Sequence, residues 1–131
     1  MNVVAGVIER DGLVLICQRK RGGRHALKWE FPGGKVEPGE DSSSALAREL
    51  REELQIEARI GELIYSHAIR YPDGPPIYLQ FYRITEFSGE PVNLEFERIV
   101  WEDPRKLPQY DFLTGDIEFV TKLANSDWPA A

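Results

Sequence analysis

The sequence predicts one domain of the α/β (α+β) class, with a mixed set of strands and two helices stacked in layers. Three observations carry this. The chain has 131 residues, enough for one core and little more. Residues 42–54 form a strong helical pattern. Short apolar and aromatic runs, separated by Gly, Pro and Asp turn signals, lie on both sides of it, and a second helical stretch comes near the end.

The elements follow in order. Residues 3–8 (Val3, Val4, Ala5, Gly6, Val7, Ile8) are small and apolar and suit a buried strand. Asp11-Gly12 signals a hairpin, with Leu13 to Cys17 as the return strand. A basic stretch (Arg19, Lys20, Arg21, Arg24, His25, Lys28) carries Gly22-Gly23 and reads as a flexible loop. Pro32-Gly33-Gly34 reads as a tight turn. Asp41 is a good N-cap for a helix over 42–54, which contains no proline or glycine. Ile60 to Ala68 is a candidate strand, and Arg70 to Pro76 a loop. Ile77 to Phe87 has the β-branched and aromatic content of a strand, and Ile99-Val100-Trp101 is a short one. Asp116 to Ala124 reads as a closing helix. No repeat, low-complexity tract or linker divides residues 1–131, so a single domain is expected.

Composition narrows the function classes. The apolar fraction is 42%, ordinary for a globular core. One cysteine, Cys17, permits no internal disulfide, which fits a reducing compartment and a cytoplasmic protein. Its apolar neighbours make a small buried hydrophobe the reading against a reactive thiol. No apolar run reaches the ~18 residues of a membrane span, and the start lacks the pattern of a signal peptide. A net charge of −6 argues against nucleic acid polymers as partners. A small polyanion held through metal ions remains open, because a bound cation inverts local charge logic. His25 and His67 have no neighbouring ligand types and are assigned to no metal.

The chemistry concentrates on the helix. Each helical residue advances about 100°, so Glu49, Glu52 and Glu53 share one arc. Leu46, Leu50 and Leu54 share another, suited to packing on a sheet. Ala45 falls among the carboxylates, where a small side chain leaves room for a ligand. Clustered glutamates repel, and a hard divalent cation removes that repulsion. A charged solvent face on an ordinary amphipathic helix is the alternative on periodicity alone.

The stretch GGKVEPGEDSSSALARELREELQI resembles the Nudix box. That motif is Gly, five residues, Glu, seven residues, then Arg-Glu-hydrophobic-x-Glu-Glu-x-Gly-hydrophobic. Gly34, Glu40, Arg48, Glu49, Leu50, Glu52, Glu53 and Ile56 all fall in register. Gln55 departs from it, standing where the family has the glycine that ends the helix. The resemblance covers most of the chain and is to the MutT-like branch.

It implies an α/β/α sandwich around a mixed sheet, with the box as a loop-helix-loop. It implies Glu49, Glu52, Glu53 and the Gly33 carbonyl as metal ligands, with Glu40 supporting the site and Arg48 orienting the carboxylates. The cofactor implied is Mg2+, with Mn2+ as substitute. Glu95, six residues before Trp101, resembles a further catalytic glutamate of the family, and Glu97 is its nearby competitor. An exposed loop acid is the alternative for either. By the same resemblance Arg19 contacts phosphate or base, Phe31 stacks on the base and Asp116 reads a purine edge. The alternatives are a surface charge for Arg19, core packing for Phe31 and a helix N-cap for Asp116. Tyr78, Phe81 and Tyr82 fit core filling rather than the cleft.

The implied activity is hydrolysis of a (deoxy)nucleoside triphosphate to the monophosphate and pyrophosphate. Oxidised purines such as 8-oxo-dGTP are the leading substrate, with CTP or a modified dCTP as the alternative. A nucleotide sugar or dinucleoside polyphosphate is a further enzymatic alternative, and a non-catalytic nucleotide-sensing module a different class. The partner expected is the nucleotide alone, on a monomer or homodimer.

Overall fold

The structure, a computed structural model, describes residues 1–126. The strands are β1 (Asn2–Arg10), β2 (Leu13–Gln18), β3 (Trp29–Glu30), β4 (Gly33–Lys35), β5 (Glu57–Arg59), β6 (Leu63–Ile69), β7 (Ile77–Ile84), β8 (Glu86–Ser88) and β9 (Arg98–Glu102). The helices are α1 (Ser42–Leu54) and α2 (Ile117–Ala124), with 3-10 turns at Pro104–Gln109 and Thr114–Asp116. Seven strands form one mixed sheet in the order β3-β2-β1-β7-β6, with β4 also paired to β1 and β9 to β2. The β1–β7 pair is parallel and the other pairs are antiparallel.

Strand alternation sends side chains to both faces of the sheet. On one face Val4, Ile8, Leu15, Cys17 and Ile84 pack against Ala45, Leu46, Leu50 and Leu54 of α1. On the other Ala5, Val7, Ile16, Leu79 and Phe81 pack against Phe119, Val120 and Leu123 of α2. The result is an α/β/α sandwich, as expected. Cys17 is fully buried beneath α1, and burial raises its thiol pKa, so it serves as a core side chain. Among the described residues no helix is long and apolar enough to cross a membrane.

The Asp11-Gly12 hairpin forms as expected: Arg10 pairs with Leu13, and both turn residues take positive φ, 54° and 78°. Asp41 caps α1 by accepting from the Ser44 backbone N–H at 2.8 Å. Gln55 takes the left-handed conformation that ends the helix, with φ 60°, and its N–H bonds to the Arg51 carbonyl.

Six local expectations are corrected. Pro32-Gly33-Gly34 is not a turn: Gly33 to Lys35 is strand β4, with Gly33 opposite Ala5 and Gly34 opposite Val4. The strand expected over Ile60 to Ala68 forms but starts later, as Leu63–Ile69 paired with β7; the unforeseen Glu57–Arg59 before it pairs with β8 in a separate two-stranded sheet. Ile77 to Phe87 divides at Thr85 between the two sheets. Ala45 does not face a ligand, because it is fully buried against the sheet with Leu46. The closing helix begins as a 3-10 turn, so that Asp116 precedes its first α-helical residue. Tyr78, read as core filling, is 50% exposed, whereas Phe81 is fully buried.

Candidate active site

β4 brings the backbone of Gly33-Gly34 against β1 on one side and the carboxylates of α1 on the other. A Cβ at Gly33 would stand 2.0 Å from the Val4 carbonyl oxygen. A Cβ at Gly34 would stand 2.5 Å from the Glu49 carboxylate carbon. Only glycine lets strand and helix approach this closely. The Gly33 N–H donates to Glu53 Oε1 at 3.0 Å, tying the loop to the helix directly.

Arg48 holds the box together. Its Nε and Nη2 donate to the two oxygens of Glu40 at 2.8 and 3.0 Å. Nη1 donates to Glu49 at 2.9 Å, and Nη2 also reaches the Lys35 carbonyl at 3.2 Å. Glu40 further accepts from the Glu37 N–H, and these bonds hold its carboxyl down at about 2. Both Glu40 oxygens are thus committed to Arg48 and to the loop.

The three helix glutamates differ in surroundings. Glu53 is half-buried, and its pKa is pushed up to about 9, first by burial and then by the charges of Glu49, Glu30 and Glu95. Glu49 is also raised by burial, partly offset by Arg48. Glu52 is 58% exposed, with its nearest Arg48 contact at 3.4 Å. Among the described residues no group of three or more His, Cys, Asp or Glu side chains is arranged to hold a metal ion. The shared arc therefore does not bring the three acids to one point.

A cavity of about 590 Å³ opens beside this helix edge, within the range of small-molecule sites. Its acidic end holds Glu53, Glu30 and Glu95. Lys20, Arg21 and Arg24 of the β2–β3 loop, with Lys35, form a basic rim. Arg19 lies in the wall and donates to Glu30 at 3.2 Å, so it is ion-paired rather than a free strand-end charge. Asp116 also lines the cavity and is 6% exposed. Its side chain caps no helix, so the N-cap alternative falls. Burial, and secondarily the charge of Glu30, push its pKa up to about 8.

Phe31 is 3% exposed, stacked on Phe112 and edge-on to Phe81 and Phe119. It is first a core side chain, with only a margin on the cavity. Glu95 faces the cavity, whereas Glu97 turns to Arg21 at 3.8 Å and Phe96 is buried between them.

Sequence reasoning missed Glu30. Burial raises its pKa, which Arg19 partly offsets, and its charge acts on both Glu53 and Asp116. The signal was an acid inside the aromatic run Trp29-Glu30-Phe31, where alternation turns it away from both rings.

The chemistry of the donors, though not their present convergence, suits a hard divalent cation. Carboxylate oxygens dominate, and Glu53, raised first by burial, also feels the charges of Glu49, Glu30 and Glu95, which a bound cation would offset.

The NUDIX domain model matches residues 1–123. The chain is 44% identical over 117 residues to the CTP pyrophosphohydrolase of Escherichia coli, covering 89% of this chain and 86% of that protein. It is 35% identical over 126 residues to the 8-oxo-dGTP diphosphatase of Haemophilus influenzae, covering 95% and 92%. The solution structure of the E. coli ORF135 protein matches with a TM-score of 0.85 at 41% identity, over 99% of this chain and 94% of that one. The MutT NUDIX hydrolase of Burkholderia pseudomallei matches at 0.80 and 31%, over 95% and 97%. Box geometry, sandwich and matched length agree, and the chain belongs to the NUDIX domain family as a Nudix hydrolase acting on phosphoanhydride bonds.

Proposed function

We propose that this protein hydrolyses a (deoxy)nucleoside triphosphate to the nucleoside monophosphate and pyrophosphate. The observation that carries the reading is one cavity lined by clustered carboxylates, by exposed basic side chains and by a buried acid, Asp116. Glu53, Glu49 and Glu52, with the Gly33 carbonyl, would hold the metal. Glu40 supports that site by fixing Arg48. The ion, Mg2+ with Mn2+ as substitute, supplies charge neutralisation and an acidified water when bound. Arg48 keeps the Glu49 carboxylate oriented through the bond at 2.9 Å. Glu95 takes the proton of the attacking water at its carboxylate, from the acidic end of the cavity. The basic rim holds the leaving pyrophosphate. Asp116 and Arg19 contact the nucleotide, and Phe31 supports the base from the core.

Two bases compete. The 44% identity to a CTP pyrophosphohydrolase favours a pyrimidine triphosphate. The 35% identity to an 8-oxo-dGTP diphosphatase supports an oxidised purine. Pyrophosphate release from CTP, 5-substituted dCTP, dGTP and 8-oxo-dGTP with Mg2+ tests the reading. One triphosphate should exceed the others by at least about tenfold in kcat/KM, as a hydrogen-bonding pocket discriminates. Release of phosphate alone, or no turnover of any triphosphate, overturns it. The single buried thiol fits a cytoplasmic enzyme, and the expected assembly is a monomer or homodimer.

A further inference from the structure

The loop between β8 and β9 carries Glu95, yet it contains no strand or helix to hold it. Two sets of bonds do so instead. Val92 N–H donates to the Leu54 carbonyl at 2.9 Å, and Leu94 N–H to the Glu53 carbonyl at 3.1 Å. These carbonyls belong to the last turn of α1, where no intrahelical partner exists. The loop is thus hung on the helix end that carries Glu53. Within it, Asn93 forms a clamp. Its Oδ1 accepts from the Phe96 N–H at 2.7 Å and from the Glu95 N–H at 3.3 Å. Its Nδ2 donates to the Phe96 carbonyl at 2.8 Å.

Phe96 is the anchor of this arrangement: it is 6% exposed and packed with Leu15, Cys17 and Leu50. Glu97 N–H then bonds to the Gln18 carbonyl at 2.8 Å, which closes the loop onto β2. Leu94, on the other side of Glu95, is 49% exposed and supplies no such anchor. The direction of the Glu95 side chain therefore depends on Asn93, whose one amide binds the backbone on both sides of the Glu95–Phe96 peptide. Glu95 so held lies close enough to Glu53 and Glu30 to raise the pKa of both.

We propose that Asn93 is a positioning residue, whose side-chain amide aims the Glu95 carboxylate into the cavity opposite Glu53. The inference rests on the reading of Glu95 as the acceptor of the water's proton. Asn93 itself touches neither substrate nor reacting atoms. Its effect runs through one backbone segment, so it belongs to kcat rather than to nucleotide affinity.

The test uses Asn93→Ala, Asn93→Asp, Glu95→Gln and the double variant Asn93→Ala/Glu95→Gln in the full chain. Pyrophosphate release from CTP and 8-oxo-dGTP with Mg2+ is the first readout. Asn93→Ala should lower kcat by about 10-fold or more, the usual scale for a residue that orients a catalytic group, with KM changed less than about twofold. Asn93→Asp keeps the acceptor for both N–H groups but loses the donor to the Phe96 carbonyl, so it should recover only part of the rate lost in Asn93→Ala. In the Glu95→Gln background, Asn93→Ala should cost no further rate, because the two act as one unit. The second readout is amide hydrogen exchange of the metal-free protein. Asn93→Ala should speed exchange at Glu95 and Phe96 while leaving α1 unchanged, and Asn93→Asp, which keeps the acceptor for both N–H groups, should speed it less.

Multiplying losses in the double variant, or equal falls in kcat for Asn93→Ala and Asn93→Asp, overturn the positioning role. A Glu95→Gln variant with undiminished kcat overturns the reading of Glu95, and the role of Asn93 with it. A melting temperature lowered in Asn93→Ala with kcat intact marks the clamp as structural only and likewise overturns the proposal.

Discussion

The carboxylate of Glu49 lies against the Cα of Gly34, so close that a methyl group on Gly34 would stand 2.5 Å from its carbon. The obstruction is the end of a side chain, not backbone. Gly34→Ala should therefore keep the β1–β4 pairing and displace Glu49. Turnover with Mg2+ should fall roughly 10- to 100-fold, the scale for disturbing an oriented ligand, with little change in melting temperature. Steady-state pyrophosphate release and a thermal melt check this. A variant with wild-type turnover shows that Glu49 does not need its present place.

Arg48→Lys tests the brace. Lysine keeps the charge but cannot serve Glu40, Glu49 and the Lys35 carbonyl together. The expected loss is about tenfold in kcat. The pair also sets an acid limit. Glu40 titrates at about 2 in the fold and near ~4.3 when unfolded. Its depressed pKa contributes stability above the unfolded value, lost as pH falls toward 2. Between those values, wild-type melting temperature should decline with acid more steeply than that of Arg48→Lys, as circular dichroism melts would reveal.

Glu53 has the opposite sign. It keeps its proton up to about pH 9 in the metal-free fold but releases it near ~4.3 when unfolded. The folded state therefore binds the extra proton between these values. Stability falls as pH rises through that window, and the penalty is complete above about 9. Glu53→Gln removes the titration. In EDTA the variant should melt higher than wild type near pH ~8, with the gap closing below ~4.5, and it should have no turnover. Unchanged turnover in this variant refutes the metal assignment.

Asp116 is a neutral acid up to about pH 8, held so chiefly by burial. In that form it donates as well as accepts. Asp116→Asn should alter the ratio of kcat/KM between CTP and 8-oxo-dGTP by about tenfold or more, because an unmatched buried polar group is costly. An unaltered ratio removes Asp116 from base recognition. In the wild type, KM for the better substrate should rise as pH passes through about 8.

Gln55 occupies a left-handed position at φ 60°, where a side chain is strained and the family has glycine. Gln55→Gly should stabilise the protein by about 0.5–1 kcal/mol in urea denaturation, with kcat unaffected. A destabilised variant shows that the Gln55 side chain makes a compensating contact.

Much of this was legible without coordinates. The i, i+3, i+4 acids, the Asp41 cap, the Asp11-Gly12 hairpin and the Leu46-Leu50-Leu54 face are local patterns, and each formed where the periodicity put it. Gly33 and Gly34 were misread because glycines after proline look like a turn, whereas here they make a strand that two neighbours press from opposite sides. Ala45 was misread because spacing alone puts it among the acids, and only the packing shows that this part of the arc is buried beside Leu46.

The sequence by itself determined the family, the helix and its acids, since these follow from residue spacing along one segment. Only the tertiary structure decided that Glu30 and Asp116 share a cavity with Glu53, that Arg48 commits Glu40, and that the Asn93 amide binds the backbone at Glu95 and Phe96. Those relations join residues far apart in the chain, and burial and charge act through space rather than along sequence.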